Sequence, residues 1–219
     1  MKKLGLLFPI LLMALSCQKK STTSAATPTP QVTGPNGYDG EFYASAAGFD
    51  VLLYNNGQKC DGGTISANGI SIPFSTITEY YYLYTQGSTG TTHWVVSGNP
   101  PNGVPAINYT TKTCPVVSST SVTTISKSAN FTLSYNNIIA DSIIYKIHYK
   151  DCTFNDVLKK VTGSSASVIF TPSDLAPVCG TQAEVSVSAY NYDILIIGTK
   201  KYRLQSSTTS AATTVSVVP

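Results

Sequence analysis

Two histidines are the first candidates for chemistry in this 219-residue chain. Nucleophilic hydrolysis needs a base within hydrogen-bond reach of an activated serine or cysteine, and the chain has no Gly-x-Ser-x-Gly elbow. His148 alternates with Lys146 and Lys150, which indicates a solvated strand face. His93 stands beside Trp94 and is expected at a strand end. The sequence therefore predicts no nucleophilic catalytic residues.

Carboxylates are the second candidates. Glycosidases place two carboxylates about 5–10 Å apart in a cleft. Asp39 and Glu41 are two residues apart, so a strand beginning there would carry them on one face, where a solvated edge is the more ordinary arrangement. A hydrolase would need a third acidic residue beside them. Patterns typical of zinc, calcium, phosphate-loop or dinucleotide sites are absent from the sequence, so no metal and no cofactor is predicted.

Aromatic residues form the most suggestive cluster, in the segment EYYYLYT and the later HW pair. In a strand, Tyr80, Tyr82 and Tyr84 share one face, and Tyr81 takes the other. Only one face can be core in a two-layer fold, so exposed tyrosine rings are expected there, suited to glycan or protein contact. Together with Trp94 they are the predicted ligand-binding residues. The alternative is that a second domain or loops cover both faces.

The chain has five cysteines. Cys17 directly follows an apolar leader that indicates export, and the even number that remains in an exported chain favours disulfides: Cys60, Cys114, Cys152 and Cys179. Three pairings are possible. The sequential one, Cys60–Cys114 and Cys152–Cys179, keeps each bridge within one predicted domain and is preferred. A metal site is the rival, although no Cys-x-x-Cys occurs.

The first residues, MKKLGLLFPILLMALSCQKK, combine two lysines, a short apolar run and small residues before a cysteine. The run is too short to span a membrane of about 30 Å and reads as a removable signal. The segment resembles a bacterial lipoprotein signal peptide, with Ser16 and Cys17 in the lipobox positions. The resemblance implies cleavage after Ser16 and acylation of Cys17, and several acyl chains make a stable anchor. The alternative is an ordinary signal peptide.

The mature chain is nearly neutral, because the leader carries away Lys2 and Lys3 out of 14 basic residues and 11 acidic residues remain. No nucleic-acid partner is therefore expected. The predicted location is the cell envelope, anchored to a membrane through lipid. The absence of an aspartate after Cys17 favours the outer membrane, with the periplasmic or surface face open.

Composition and patterning divide the chain into four parts. Residues 1–16 are the signal peptide, and residues 17–37 are the lipidated N-terminus with a linker rich in Ser, Thr, Pro and Gly. Residues 38–115 contain short β-rich runs separated by turns such as NNG and NPPNG, which predict a β-rich domain of unknown strand order. Residues 116–219 contain about seven strand-like runs, as in a two-sheet sandwich. The fold class is therefore all-β.

The C-terminal half has the clearest alternation. Ile143, Tyr145, Ile147 and Tyr149 are predicted to face a core, as are Phe131, Leu133 and Tyr135 on one strand and Val168, Phe170, Val185, Val187 and Ala189 on later ones. The segments YDILIIG and KKYRLQ predict an extra hairpin before a last strand, ATTVSVV.

The stretch TPSDLAPVCGTQAEVSVSAYN resembles the E–F corner and F strand of a fibronectin type III domain. Val185, Val187, Ala189 and Asn191 match the family pattern Tyr-x-Val-x-Val-x-Ala-x-Asn, and Thr181 matches its threonine. Ala183 stands where the family has its corner tyrosine, and Leu175 and Pro177 come two residues early. The resemblance implies an immunoglobulin-like sandwich, in which a bridge from Cys179 to Cys152 would replace the missing tyrosine tie.

Three functions follow as expectations. The first is a non-catalytic, lipid-anchored binding or adhesion module for glycan or protein. The second is a structural or accessory subunit of an envelope complex, which predicts a broad apolar or aromatic patch. The third, an unrecognised hydrolase, has the least support. Fold alone does not decide among them.

Overall fold

The computed structural model describes residues 33–118, 120, 122–149 and 156–219. Its first half contains nine strands and a 3-10 turn: β1 Gly40–Ser45, β2 Gly48–Asn55, β3 Gln58–Lys59, β4 Ile65–Ala67, β5 Ile70–Ile72, β6 Phe74–Ser75, β7 Tyr80–Leu83, β8 His93–Val96, the 3-10 turn Pro100–Asn102, and β9 Ile107–Thr110. The second half contains β10 Thr124–Ser126, β11 Phe131–Ile138, β12 Ser142–Tyr149, β13 Asp156–Thr162, β14 Ser165–Phe170, helix α1 Pro172–Leu175, β15 Gln182–Ile197, β16 Lys200–Thr209 and β17 Thr213–Val218. The predicted all-β class is confirmed.

Turn residues lie where the hairpins need them. Asn56 and Gly57 between β2 and β3 have φ values of 51° and 76°, and Asn68 and Gly69 between β4 and β5 have values of 51° and 79°. Positive φ at both central residues matches the right-handed twist of the flanking strands, and Asn-Gly tolerates it best. The NNG segment therefore ends β2 as predicted.

The first core lies between a large sheet and a four-stranded sheet. In the large sheet, β16, β1, β2, β7 and β6 are neighbours in that order, and the smaller sheet has the order β5-β4-β8-β9. Trp94 of β8 is fully buried, with its ring 5.2 Å from Phe42 of β1 and 5.7 Å from Phe49 of β2, both edge-on. These contacts join the two layers, since aromatic pairs favour such geometry.

The second core lies between the two-stranded sheet β11–β14 and the part of the large sheet formed by β13, β12, β15 and β17. The predicted alternation is confirmed on β12, where Ile143, Tyr145, Ile147 and Tyr149 are all buried. It is also confirmed on β11 and β15, and Phe170 of β14 is buried as predicted, whereas Val168 is partly buried at the margin of this core. The second half is thus a two-layer sandwich.

The hairpin β15–β16 connects the two cores. The first half of β15 pairs with β12 and β17, and its second half pairs with β16, confirming the extra hairpin after Asn191. Strand β16 then pairs in parallel with β1, placing Tyr202 and Leu204 in the first core. The first core thus contains residues from both halves of the chain.

A polar network holds the connecting segment against that hairpin. The backbone N–H of Lys112 donates to Asp193 at 2.8 Å, and its ammonium lies 2.8 Å from Asp141. Asp141 also accepts from the backbone N–H of Tyr192, and Asn191 donates to the carbonyl of Thr113, each at 2.8 Å. The segment 111–113 is therefore fixed both to β15 and to Asp141, which directly precedes β12.

The predicted Cys60–Cys114 bridge is wrong, because both are free thiols. The backbone N–H of Cys60 donates to the carbonyl of Leu53 on β2, and Leu53 pairs with Gly40. The thiol of Cys114 instead donates to the carbonyl of Ser88, whose backbone N–H donates to the carbonyl of Ser45. Gly40 and Ser45 are the two ends of β1, roughly 17 Å apart at about 3.4 Å per residue. A disulfide needs Cα atoms within about 7 Å.

The other cysteine predictions involve residues outside the described part of the chain. Cys152 lies there, so the Cys152–Cys179 pairing stays a prediction; Cys179 is not one of the two free thiols. Cys17, the leader and most of the linker also lie outside the described residues.

Candidate functional site: a tyrosine-lined groove

Strand β7 separates its tyrosines between two faces, as its alternation predicts. Tyr81 is buried, and its hydroxyl contacts Asp61 and the carbonyl of Gly63. Tyr82 and Tyr84 point to the opposite, outer face of the large sheet and are 37% and 58% exposed. The alternative in which both faces are covered is therefore excluded for these two rings.

The three outer tyrosines form one aromatic cluster. The ring centroids of Tyr80 and Tyr82 are 5.2 Å apart, and those of Tyr82 and Tyr84 are 5.6 Å apart with nearly parallel planes. Residues two apart on a strand share a face, so the sequence YYYLY itself brings these rings together. The cluster is an aromatic surface that also carries hydroxyl groups.

A groove of about 380 Å³ lies beside this cluster. It is lined by Tyr43 of β1, Asp50 and Leu52 of β2, Lys59 of β3, and Tyr80 and Tyr84. The strand register explains the set, because Tyr43 pairs with Asp50, and Asp50 pairs with Tyr82 on the next strand. Strand β2 thus forms the floor, and tyrosines from its two neighbours form the walls.

Asp50 is fixed in the groove by Tyr84. The Tyr84 hydroxyl donates a 2.6 Å hydrogen bond to Oδ1 of Asp50. This bond is the main reason why the pKa of Tyr84 is raised above its ordinary value of 10.0, since ionisation would remove the donated proton. The pair presents a carboxylate and a neutral phenol side by side.

Lys59 supplies an ammonium group to the lining of the groove. Its Nζ donates to the carbonyl of Thr78 at 3.0 Å and lies 5.7 Å from the centroid of the Tyr80 ring. Both contacts hold the ammonium next to the aromatic wall.

Tyr43, on the other wall, is held by Arg203 of β16. The guanidinium lies 5.6 Å from the centre of the Tyr43 ring and donates to its hydroxyl at 2.8 Å. It also lies 5.2 Å from the Tyr38 ring and makes a 2.5 Å ion pair with Glu41. Burial raises the pKa of Tyr43. This wall is therefore fixed before any ligand arrives.

The two candidate carboxylates of the hydrolase hypothesis are used within the fold. Asp39 and Glu41 are each 2% exposed. Asp39 lies 3.3 Å from the ammonium of Lys200, and Glu41 pairs with Arg203. Such pairs offset the cost of burying a charge. The structure thus assigns both to ion pairs inside the sheet rather than to the predicted solvated edge.

The two histidines lie apart on separate sheets. His93 is the first residue of β8, as predicted, with its Nε2 2.7 Å from Oδ1 of Asn108. His148 is on the outer face of β12, partly exposed, with Nδ1 2.7 Å from Asp156. Among the described residues, no three His, Cys, Asp or Glu side chains are grouped so that they could hold a metal ion.

Trp94 does not belong to this surface. It was predicted beside the tyrosines as a contact residue, but it lies at the centre of the first core with no exposed area. Strand β8 belongs to the smaller sheet, and Trp94 is on its inner face. The aromatic character of HW therefore serves packing.

Sequence reasoning missed Tyr43, Asp50, Leu52 and Lys59. Their only signal was alternation, since each occupies an outward position of a short strand. The groove also requires β1 and β2 to lie next to β7. This strand order cannot be read from the turn residues in the sequence.

No protein-family model matches the chain, and neither does any curated protein. Within the described residues, the structure also contains no helix with the length and apolar character required to cross a membrane.

Proposed function

We propose that this protein is a non-catalytic, lipid-anchored binding module of the cell envelope, and that the tyrosine-lined groove is its ligand-contact surface. The observation that carries the proposal is the cluster of Tyr80, Tyr82 and Tyr84 on the outer sheet face, with Tyr82 and Tyr84 exposed, beside a fixed carboxylate and ammonium. Rigid aromatic rings with polar tips provide contact area at low entropic cost.

The proposed location depends on the leader. Its two lysines, apolar run and Ser16–Cys17 junction support export and acylation of Cys17. The linker from residue 18 to residue 37 would then hold the binding module away from the outer membrane. Its polar composition supports this role.

We further propose that residues 116–219 are a fibronectin type III-like domain that supports the groove. The order β13-β12-β15-β17 facing β11–β14 supports this assignment, as do Val185, Val187 and Ala189 in the core. Because β16 continues from this sandwich into the sheet that carries the groove, the domain would act as a rigid base.

The test uses the chain from residue 17 onward on an array of glycans and envelope proteins. Binding to at least one probe is expected, with a loss of tenfold or more in Tyr82→Ala. Tyr190→Ala is the matched control, because Tyr190 and Tyr192 form a similar stacked pair on β15, with centroids 6.2 Å apart. Absence of any binding, or equal loss in both variants, would contradict the proposal.

An accessory-subunit role is the second candidate, favoured by an apolar patch on the β15 hairpin, which the register places on the same face of the large sheet as Tyr43. Ile194 and Ile196 are 45% and 66% exposed, and the stacked pair Tyr190–Tyr192 lies on the same strand. Exposed apolar side chains in a contiguous patch are typical of protein contacts. Cross-linking in the native envelope separates the two roles: this role predicts that Ile196→Lys loses the cross-linked partner and that Tyr82→Ala keeps it.

A further inference from the structure

The groove has the dimensions of a site for one or two small rings. Its walls stand on β1 and β7, which flank β2, so they are about 10 Å apart at about 4.8 Å per strand. Its volume of about 380 Å³ falls in the usual range for small-ligand sites, about 300–1,000 Å³. A stable protein interface, in contrast, covers about 800 Å² on each partner.

A peptide strand is a poor occupant, because the floor of the groove has no backbone groups to offer. At Asp50, β2 is paired with β1 on one side and with β7 on the other. Addition of a β-strand requires an open sheet edge. Recognition in this groove must therefore come from side chains.

The charges that line the groove balance. Among the described residues that line it, Asp50 is the one acidic and Lys59 the one basic residue. One carboxylate oxygen of Asp50 accepts from Tyr84, and the other can accept from a ligand hydroxyl; Lys59 has donors beyond its bond to Thr78. A ligand of high net charge would meet a like charge, whereas a neutral ligand with many hydroxyl groups can use both residues.

The aromatic walls supply the remaining recognition. Tyr43, Tyr80 and Tyr84 combine apolar ring surface with hydroxyl groups, and Leu52 makes the floor apolar. A pyranose ring likewise combines apolar C–H groups with hydroxyl groups. From these features we infer that the groove binds a neutral glycan, with Asp50 accepting a sugar hydroxyl; this deepens the proposed function and depends on it.

The test is calorimetric titration of the chain from residue 17 onward with neutral hexasaccharides: maltohexaose, cellohexaose, laminarihexaose, xylohexaose and mannohexaose. Oligogalacturonate and chitosan hexaose are the charged comparisons. Binding of at least one neutral probe is expected, more tightly than either charged probe. Asp50→Asn should weaken it about tenfold or more, because a hydrogen bond to a carboxylate is stronger than one to an amide.

Two further variants keep the result interpretable. Asp156→Asn is the matched control on β13, and it should bind as the unmodified chain does. Leu52→Phe places a larger apolar side chain on the half-buried floor, so it should weaken binding with little effect on folding. Equal melting temperatures by circular dichroism establish that the variants are folded.

The outcomes separate this inference from the proposed function. Binding of charged probes only, or neutral binding that Asp50→Asn and Leu52→Phe leave unchanged, would overturn the neutral-glycan assignment. Failure of all neutral probes, with Tyr82-dependent binding of an envelope protein, would overturn it and leave the binding module standing. Failure of every probe to bind, or binding that none of the Asp50, Leu52 and Tyr82 variants weakens, would overturn both.

Discussion

The hydroxyl of Tyr84 donates a 2.6 Å hydrogen bond to Asp50, which is 34 positions earlier in the chain. The contact joins the end of the tyrosine strand to the floor strand of the groove. It fixes the Asp50 carboxylate in the groove and orients a neighbouring phenol, so that side chains from two strands act as one polar unit.

This relationship predicts the effect of Tyr84→Phe. The substitution keeps the ring and removes the donor, so Asp50 loses its partner and its freedom of rotation increases. Because the site is exposed, the free energy of unfolding should fall by less than about 1 kcal/mol. Ligand affinity should fall more than stability does. Chemical denaturation and a binding titration measure the two quantities, and unchanged affinity would contradict the role of this bond.

Alkaline pH should destabilise the protein through its buried tyrosines. Burial raises the pKa values of Tyr81, Tyr149 and Tyr202 above the ordinary 10.0, that of Tyr149 to about 12. A raised pKa means that the unfolded chain loses these protons first, so the contribution of these tyrosines to stability is constant below about pH 10 and is lost as the pH rises above it. Each such group should contribute about 1.4 kcal/mol per pH unit between its two pKa values.

The measurement for this prediction is a series of urea midpoints from pH 8 to pH 12, with phenolate absorbance followed in parallel. Tyr149→Phe should make the decline less steep near pH 11. A stability that rises above pH 10 would contradict the burial of these hydroxyl groups.

Trp94→Ala should destabilise the protein strongly, because it removes the ring that contacts Phe42 and Phe49 at the centre of the first core. A loss of about 3–5 kcal/mol is expected. Trp94→Phe should cost less and should leave ligand binding unchanged. Since the chain has one tryptophan, its emission maximum reports burial directly. A red-shifted native emission, or loss of binding in a folded Trp94→Phe variant, would restore Trp94 as a surface contact.

The free state of Cys60 predicts that Cys60→Ser changes the free energy of unfolding by less than about 1 kcal/mol. A bridge to Cys114 would make the same substitution cost about 2–5 kcal/mol. Guanidinium denaturation under non-reducing conditions distinguishes the two cases. Burial raises the pKa values of both thiols, so they should react slowly with a thiol reagent until the protein unfolds.

The network around Lys112 predicts how the two cores are held. Asp141→Ala removes the acceptor for the Lys112 ammonium and for the backbone N–H of Tyr192. We expect a loss of about 1–2 kcal/mol and a broader distribution of distances between the cores in small-angle scattering. The matched control is Asp156→Ala. It removes a partly exposed carboxylate of β13 that pairs with Lys146 and His148 on β12, away from the segment that connects the two cores.

Local patterns allowed the correct prediction of local features. The alternation of Ile143, Tyr145, Ile147 and Tyr149 needs only the period of a strand, and so does the separation of Tyr81 from its neighbours. Non-local features were not accessible. The groove exists because β1, β2 and β7 are adjacent, and Tyr202 enters the first core because β16 returns to pair with β1.

The errors have physical causes of the same kind. A tryptophan such as Trp94 can lie either in a core or on a contact surface. The sheet to which β8 belongs decides between the two, and the sequence does not reveal it. The pairing of Cys60 with Cys114 was based on cysteine number and chain order. Those quantities carry no information about the length of β1, which separates the two thiols.

The most direct test of the central claim is nuclear magnetic resonance of the chain from residue 17 onward with labelled tyrosine rings, titrated with the probe that binds best. The account predicts that the ring signals of Tyr80, Tyr82 and Tyr84 shift, while those of Tyr190 and Tyr192 stay in place. Shifts confined to Tyr190 and Tyr192, or to tyrosines of the second core, would contradict a binding site in the groove.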